Sequence, residues 1–228
     1  MELSLRIIAK IKNDFPTKFG IPRQSGLVEE LSARVVFEPE YRNAEAVRGL
    51  DGFSHIWLIW GFSEARRASW SPTVRPPRLG GNKRMGVFAT RSPFRPNPIG
   101  LSSVRLCGIE THPELGPVLQ IQGADLMDGS PIYDIKPYLA YTDSHGDAAD
   151  GFAGDVEASK LEVEMSAEGH RLLGEERCRE LTGLLRQDPR PSYQEDPERI
   201  YGMKFAGFEV KFTVAGSCLR VLKVEKDA

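Results

Sequence analysis

The sequence lacks the marks of several protein classes. Its three cysteines, Cys107, Cys178 and Cys218, are widely spaced and form no Cys-x-x-Cys pair. This spacing excludes a zinc ribbon or a disulfide framework and is typical of a reducing compartment. The longest apolar run covers only residues 56–62, far short of the roughly 20 residues of a membrane-spanning helix. The first residues show no apolar stretch behind a basic segment, so no signal peptide is predicted. A cytoplasmic protein is expected.

Familiar nucleotide and catalytic motifs are also missing. Gly80, Gly81 and Gly86 follow a Pro-rich loop and do not reproduce Gly-x-Gly-x-x-Gly after a strand, so a Rossmann sheet is disfavoured. The sequence contains neither a phosphate-binding Gly-x-x-x-x-Gly-Lys-[Ser/Thr] nor a Gly-x-Ser-x-Gly elbow. The four histidines lack metal-ligand spacing, and no metal site is predicted.

The size of the chain predicts one medium domain or a main domain with a small one. It has 228 residues, and 40% of them are hydrophobic, which is enough for a packed core. With 30 basic and 32 acidic residues, the net charge of −2 argues against general binding to polyanions. Any contact with nucleic acid must therefore be local.

Positive charge is concentrated in one segment. Residues 66–105 contain nine Arg or Lys and no Asp or Glu, which leaves 21 basic against 32 acidic residues elsewhere. Interleaved Pro, Gly and Asn fix the backbone of this loop-rich segment, which a merely solvated basic loop does not require. The clustering indicates an anionic partner, with nucleic acid or phosphate first among the candidates.

The pattern of short strands predicts a mainly β fold. Alternating or apolar runs between Gly/Pro turns predict strands at residues 3–11, 33–37, 53–62, 85–90, 102–109, 118–124 and 131–138. Such a series indicates a closed or nearly closed barrel over residues 1–142. The acidic stretch that follows predicts a linker at 143–160. A helix through 172–185 and strands near 161–165, 201–205, 208–214 and 219–224 then predict a small C-terminal α+β domain over 161–228.

Polar residues in the turns are the candidates for chemistry. Asp125, Asp128 and Asp134 lie around a Gly/Pro turn, where they can cap backbone amides or accept hydrogen bonds from a ligand. Asn97 stands between two prolines that fix its backbone, which suits either recognition by its amide or a structural Asx-turn. His55 lies within an apolar strand and is interpreted as a histidine that packs in the core or supports another site residue, rather than as a base.

Six blocks of the sequence resemble the TsaA-like (TrmO) family. They are FGIPRQSG at 19–26, DGFSHIW at 51–57, RPPRLGGN at 75–82, GVFATRSPFRPNPIG at 86–100, DGSPIYDIKPY at 128–138 and QDPRPSY at 187–193. They follow one another in the order of the family along most of the chain. The resemblance implies a homodimeric, S-adenosylmethionine-dependent tRNA methyltransferase on a β-barrel, with its site near the subunit interface.

The same resemblance implies site residues. The predicted cofactor contacts are Pro22, Arg23, Gln24, Ser63, Glu64, Arg91, Leu101, Asp128, Gly129, Ser130 and Pro131. The guanidinium and ammonium groups predicted to contact tRNA phosphates are those of Arg75, Arg78, Lys83, Arg84 and Arg95, with Arg23 and Arg91 as further candidates.

The implied reaction transfers a methyl group to N6 of threonylcarbamoyladenosine at tRNA position 37. This nitrogen is conjugated and therefore a poor nucleophile, so its proton needs an acceptor. Asp128 or Asp134 is the hypothesised acceptor, and Asn97 completes the predicted catalytic set.

Two other functions remain open at the level of the sequence. A non-catalytic RNA-binding module would explain the basic segment. A phosphate-ester hydrolase would use the same arginines with a metal ion held by Asp125, Asp128 and Asp134.

Overall fold

The protein consists of a β-barrel followed by a smaller α+β unit. The computed structural model describes residues 4–65, 69–76, 83–154, 160–190 and 196–227. The first eight strands are β1 (Ala9–Lys12), β2 (Ser32–Phe37), β3 (His55–Gly61), β4 (Thr73–Val74), β5 (Met85–Gly86), β6 (Ile99–His112), β7 (Gly116–Gln122) and β8 (Pro131–Pro137). Short 3-10 helices occupy Pro39–Tyr41, Ala44–Val47, Leu50–Gly52, Val87–Ala89 and Gly151–Ala153, and α1 covers Ala140–Asp143.

Six strands close into an antiparallel barrel, which confirms the predicted mainly β fold. Their order is β1-β2-β7-β6-β3-β8, and β8 pairs back onto β1. Alternate residues of each strand point inward because successive side chains leave a strand on opposite faces. In β2, for example, Ala33, Val35 and Phe37 are buried in the barrel core. Strand β3 is hydrogen-bonded on both sides, to β6 and to β8.

The C-terminal unit packs a helix against a second sheet. After β9 (Glu162–Glu164) come α2 (Ala167–Arg186), β10 (Tyr201–Phe205), β11 (Phe208–Ala215) and β12 (Cys218–Lys226). The sheet order is β10-β11-β12-β9. Ser166 begins α2, since its hydroxyl accepts a hydrogen bond from the Gly169 amide. Leu181, Leu184 and Leu185 from α2 are fully buried in the core of this unit.

The hydrophobic core of the C-terminal unit extends into the N-terminal part of the chain. Phe15, Val28 and Leu31, which lie between β1 and β2, belong to the same buried cluster as the apolar face of α2 and the second sheet. The segment between β1 and β2 therefore packs on the C-terminal unit rather than on the barrel core. The division of the chain near residue 142 stays a prediction.

Two predicted strands are much shorter in the structure than expected. The expected strand at 85–90 is limited to β5, because its partner β4 has only two residues and a 3-10 turn begins at Val87. The expected strand at 3–11 begins at Ala9, where pairing with β2 and β8 starts. No helix among the described residues has the length and apolarity needed to cross a membrane.

Candidate functional site

Two adjoining cavities lie where β3 ends and β6 and β8 begin. The smaller one, here called the rim pocket, has a volume of about 280 Å³ and is lined by Ile7, Lys10, Phe62, Ser63, Pro98, Gly129, Pro131 and Tyr133. The larger one, here called the rim groove, runs over residues 84–99, with further walls from residues 23–27, 69–76 and 148–153. Pro98 and Tyr133 line both cavities, so the two form one continuous concave surface.

Two glycines allow aromatic rings to pack closely at this end of the barrel. A Cβ atom on Gly100 would lie 2.2 Å from the ring of Trp60, and one on Gly61 would lie 2.3 Å from the Tyr133 hydroxyl. The register of β3 and β8 also shifts beside Tyr133, and such a bulge redirects a side chain. Glycine and the bulge together explain why one tyrosine reaches both cavities.

The segment that forms the wall of the groove is braced by its own hydrogen bonds. The Arg95 guanidinium donates to the carbonyl of Thr90 at 3.3 Å, and the Thr90 hydroxyl donates to the carbonyl of Val87 at 2.9 Å. The Phe62 amide donates to the Pro98 carbonyl at 2.9 Å, which fastens the segment to the end of β3. Asn97 lines the groove, and within the described parts of the chain its side-chain amide has no hydrogen-bond partner.

The groove is strongly basic and carries exposed aromatic rings. Its lining contains five arginines, Arg23, Arg75, Arg84, Arg91 and Arg95, and among the described lining residues one carboxylate, that of Asp150. Trp70 and Phe88 line the same groove, with 53% and 73% of their surface exposed and ring centroids 6.3 Å apart. Arginines beside exposed rings are typical of surfaces that bind single-stranded nucleic acid. The aromatic pair was absent from the sequence-based site, because residue type alone does not show which rings remain exposed.

The predicted cofactor loop at residues 22–24 enters the groove. Gln24 and Arg91, which are 67 positions apart, form a hydrogen bond between side-chain Oε1 and Nη1. Arg23 lines the groove, while its Nη2 donates to backbone carbonyls of the C-terminal unit. Pro22 is buried. The structure thus brings three of the predicted cofactor contacts, Arg23, Gln24 and Arg91, together in the groove.

A buried polar chain runs beneath the groove. Trp60 Nε1 donates to Ser102 Oγ at 2.9 Å, and Ser102 Oγ donates to Asp125 Oδ1 at 2.6 Å. Burial raises the pKa of the Asp125 carboxyl, while hydrogen bonds from Ser102 and the Ser25 backbone and the charge of Arg91 act in the opposite direction. The sequence indicated Asp125 as a backbone cap, a hydrogen-bond acceptor for a ligand or a metal ligand, but it did not point to Ser102 as its partner. Ser102 could have been found from the sequence, because its hydroxyl stands at an inward-facing position of a predicted barrel strand.

The two predicted proton acceptors occupy different places. Asp128 accepts a hydrogen bond from the backbone amide of Asn13 at 3.0 Å, and its carboxylate lies 3.5 Å from Lys12 Nζ. It therefore attaches the turn that contains Gly129 to the end of β1. Asp134 pairs with Ile59 in β3, and its carboxylate lies 3.0 Å from Lys136 Nζ. Within the described residues, Asp134 does not line either cavity.

The remaining predicted residues divide between the cavities and other surfaces. Ser63, Gly129 and Pro131 line the rim pocket. Glu64 forms an ion pair with Lys18 at 3.4 Å. Leu101 is 58% exposed and alternates with buried neighbours in β6, so it faces outward from the barrel. Ser130 is buried. Lys83 is exposed beside the groove segment, and Arg78 lies outside the described residues.

The carboxylates required by the hydrolase alternative do not converge. Asp125 bonds to Ser102, Asp128 to the Asn13 amide, and Asp134 to the Ile135 amide at 2.9 Å. In the part of the chain that the structure describes, no group of three His, Cys, Asp or Glu side chains could hold a metal ion.

The fold and the two cavities define a class: a closed β-barrel, distinct from the Rossmann fold, with a basic and aromatic groove at its rim and an appended α+β unit. The chain belongs to the TrmO family, since the family model for the tRNA-methyltransferase O N-terminal domain matches residues 10–144 and that for the TrmO C-terminal domain matches residues 158–227.

Individual relatives agree with this membership. The chain is 41% identical over 226 residues to the tRNA (adenine(37)-N6)-methyltransferase of Escherichia coli K12, covering 96% of both proteins. It is 39% identical over 146 residues to a probable S-adenosyl-L-methionine-binding protein of Methanothermobacter thermautotrophicus, covering 64% of this chain and 97% of that protein. A crystal structure of TrmO from Pseudomonas aeruginosa superposes with a TM-score of 0.80 at 34% identity, covering 99% and 98% of the two chains.

Proposed function

We propose that the protein is an S-adenosylmethionine-dependent tRNA methyltransferase that methylates N6 of threonylcarbamoyladenosine at tRNA position 37. The observation that carries the proposal is the 41% identity to a tRNA (adenine(37)-N6)-methyltransferase over 96% of the chain. Two features of the structure support it, namely a small pocket for a methyl donor and a basic groove that adjoins it. A tRNA substrate also favours a cytoplasmic location.

The methyl donor is assigned to the rim pocket and to the adjoining end of the groove. A pocket of about 280 Å³ is slightly smaller than a usual small-molecule site, so the ligand would extend past Tyr133 towards Gln24 and Arg91. Phe62 and Tyr133 place aromatic rings in the pocket wall, which suits a sulfonium cation. When bound, the donor supplies a methyl group that is already activated. The residues of the chain then have to orient the donor and the acceptor nitrogen.

The tRNA is assigned to the rim groove. Arg75, Arg84 and Arg95 would contact phosphates, with Lys83 and Arg78 as further contacts from the same segment. Trp70 and Phe88 would stack on unpaired bases of the anticodon loop, because an aromatic face accepts any base. Asn97 would bind a base edge near the acceptor nitrogen with its fixed amide.

A homodimer would complete the site. Ile59 in β3 pairs with Leu101 on one side and with Asp134 on the other, so these two predicted site residues share one row of the outer barrel wall. A second copy that docks its rim on this wall would receive both. Asp134 is therefore proposed as the proton acceptor, whereas Asp128 holds Gly129 and Pro131 at the pocket.

One experiment tests the proposed function. The protein is incubated with methyl-labelled S-adenosylmethionine and tRNA, with or without prior threonylcarbamoylation, and the labelled nucleoside is identified by mass spectrometry. We expect label on N6 of position 37, with threonylcarbamoylated tRNA as the preferred substrate. Binding of tRNA without methyl transfer would instead favour the non-catalytic RNA-binding module. Arg91→Ala should weaken binding of the methyl donor in calorimetry without unfolding the protein.

A further inference from the structure

The turn that follows α2 contacts the predicted cofactor loop. Arg23 Nη2 donates to the backbone carbonyl of Asp188 at 3.0 Å and to that of Arg190 at 3.2 Å. The Gln187 side-chain amide donates to the Leu27 carbonyl at 3.4 Å. Residues 187–190 of the C-terminal unit therefore contact the cofactor loop at Arg23 and the chain that follows it at Leu27. This turn begins the QDPRPSY block, to which the proposed function assigns no role.

An ion pair within the turn fixes the two carbonyls that Arg23 contacts. Arg190 Nε and Nη2 donate to the two carboxylate oxygens of Asp188 at 2.9 and 2.8 Å, and the Arg190 amide donates to Asp188 Oδ1 at 3.2 Å. The two side chains are only 13% and 22% exposed, so solvent competes little for this bidentate pair. Asp188 adopts a φ of 48°, a left-handed conformation that is uncommon for L residues but that Asp and Asn tolerate better than most.

The barrel holds the opposite side of the same loop. The Gly26 amide donates to the Gly123 carbonyl at 2.9 Å, and Gln24 is bonded to Arg91. Farther along, Val28 is buried in the core of the C-terminal unit. The loop is thus hydrogen-bonded to both units: Arg23 bonds to the C-terminal unit, and its neighbour Gln24 bonds to Arg91 at the barrel rim. Displacement of Arg23 would therefore move Gln24 in the groove.

We propose that Asp188 and Arg190 are positioning residues for the methyl donor and that they act through Arg23. Neither residue has to touch the ligand. Their ion pair presents two carbonyls to the guanidinium of Arg23, which orders the loop before the donor binds. The inference rests on the proposed function only in placing the donor beside Gln24 and Arg91. It gives the C-terminal unit a defined part in donor binding, although the donor itself lies at the barrel rim.

The physical consequence is a specific kinetic pattern. A loop that is ordered in advance favours the bound donor and the transition state equally, so loss of the order raises KM and leaves kcat nearly unchanged. Ordering one long side chain corresponds to a factor of roughly 3–10 in affinity. We therefore expect Arg190→Gln to raise the KM for S-adenosylmethionine about 3- to 10-fold, with kcat at saturating donor within about twofold.

The test compares matched variants of the full-length chain. Asp188→Asn keeps a residue that tolerates the left-handed backbone but removes the charge, and it should reproduce the effect of Arg190→Gln. Arg220→Gln is the control, because Arg220 also pairs with a carboxylate of the C-terminal unit, Glu164 at 2.9 Å, but with both side chains more than half exposed. This control should match the wild type. Arg23→Ala should raise the KM for the donor, and Arg23→Ala combined with Arg190→Gln should raise it no further.

Hydrogen exchange provides a readout that does not depend on activity. In the absence of ligands, amides of residues 20–27 should exchange faster in Arg190→Gln and Asp188→Asn than in the wild type and in Arg220→Gln. Wild-type exchange in Arg190→Gln would overturn the inference, as would additive increases of KM in the double variant. Faster exchange with unchanged donor affinity in calorimetry would also overturn it. If the wild type methylates no tRNA, the proposed function fails, whereas the exchange and calorimetry data still decide whether the turn orders the loop.

Discussion

Replacing Gly100 by alanine probes the packing on which the rim of the barrel depends. The added Cβ would lie 2.2 Å from Trp60 Cε2 and 2.6 Å from Trp60 Nε1. Trp60 cannot move aside easily, because it is 5% exposed, its ring centroid lies 4.2 Å from that of Phe62, and its Nε1 donates to Ser102. The substitution therefore overpacks a rigid contact rather than displacing a flexible side chain.

The magnitude follows from two effects. Overpacking a close-packed core costs about 1–3 kcal/mol, and breaking the Trp60–Ser102 hydrogen bond costs about 1–3 kcal/mol because it leaves buried polar groups unpaired. Loss of glycine from the unfolded chain returns about 0.4–1 kcal/mol. We therefore expect a net loss near 3 kcal/mol, which corresponds to a decrease of roughly 6–12 °C in Tm for a chain of this size.

Differential scanning calorimetry measures this difference, with Gly86→Ala as the matched control. Gly86 has φ −57° and ψ 136°, which alanine adopts readily, and a Cβ there would meet no atom within 4 Å. Its Tm should stay within about 2 °C of the wild type or rise slightly. Equal Tm values for Gly100→Ala and Gly86→Ala would refute the packing argument.

Three further predictions concern the site. Burial raises the pKa of the Asp125 carboxyl above its ordinary value of 3.8, so ionisation of Asp125 opposes folding at pH values above the raised pKa and has no effect below about pH 3. Asp125→Asn should therefore raise the Tm at pH 8, and calorimetry from pH 8 to pH 4 should show this gain in Tm decreasing. A gain in Tm that grows towards pH 4 would contradict the argument that ionised Asp125 destabilises the fold. Asp134→Asn should lower kcat about 10²- to 10⁴-fold. For Asp128→Asn, kcat should stay within about tenfold of the wild type, because Asn keeps an acceptor for the backbone amide of Asn13. If steady-state kinetics showed the reverse order, Asp128 would be the proton acceptor. Arg84→Gln should reduce the slope of log K for tRNA binding against log salt concentration by about 0.7–0.9, because one phosphate contact is lost. Trp70→Ala should weaken tRNA binding by about 1–3 kcal/mol per stacked base and leave this slope unchanged. Titrations at several salt concentrations distinguish the two effects, and a changed slope for Trp70→Ala would argue against stacking.

The sequence was sufficient for the longer barrel strands and for α2, but only for part of the candidate site. Strand periodicity located β3, β6, β7 and β8 because each has one face in the barrel core, and α2 was identifiable from its spacing of leucines. The close approach of residues 22–24 to Arg91 followed from the resemblance to a known family. Local patterns could not show this contact, since Gln24 and Arg91 are separated by 67 positions and are joined only by barrel closure.

Local sequence patterns could not show where Asp128, Asp134 and residues 148–153 lie, because their places depend on strand pairing and on the path of the chain. Asp128 and Asp134 are both turn-proximal carboxylates in the sequence, and only the pairing of β8 with β1 and β3 places one beside Asn13 and the other on the outer wall. Likewise, residues 148–153 were predicted as part of a linker, and they line the rim groove. Their small and acidic composition does not encode where the chain folds back.

The assignment of Phe15, Val28 and Leu31 to the C-terminal core changes how the two units should be regarded. These three side chains are at most 3% exposed, and burying each contributes about 1.5–3 kcal/mol. They lie in the same segment as the cofactor loop, and α2 also contacts the start of β2, where Glu180 accepts a hydrogen bond from the Ser32 backbone amide at 3.2 Å. Removal of the C-terminal unit would expose this apolar surface and free the loop together. The barrel rim and the C-terminal core are therefore coupled through the segment between β1 and β2, and changes in α2 that weaken its packing on Val28 should also weaken binding of the methyl donor.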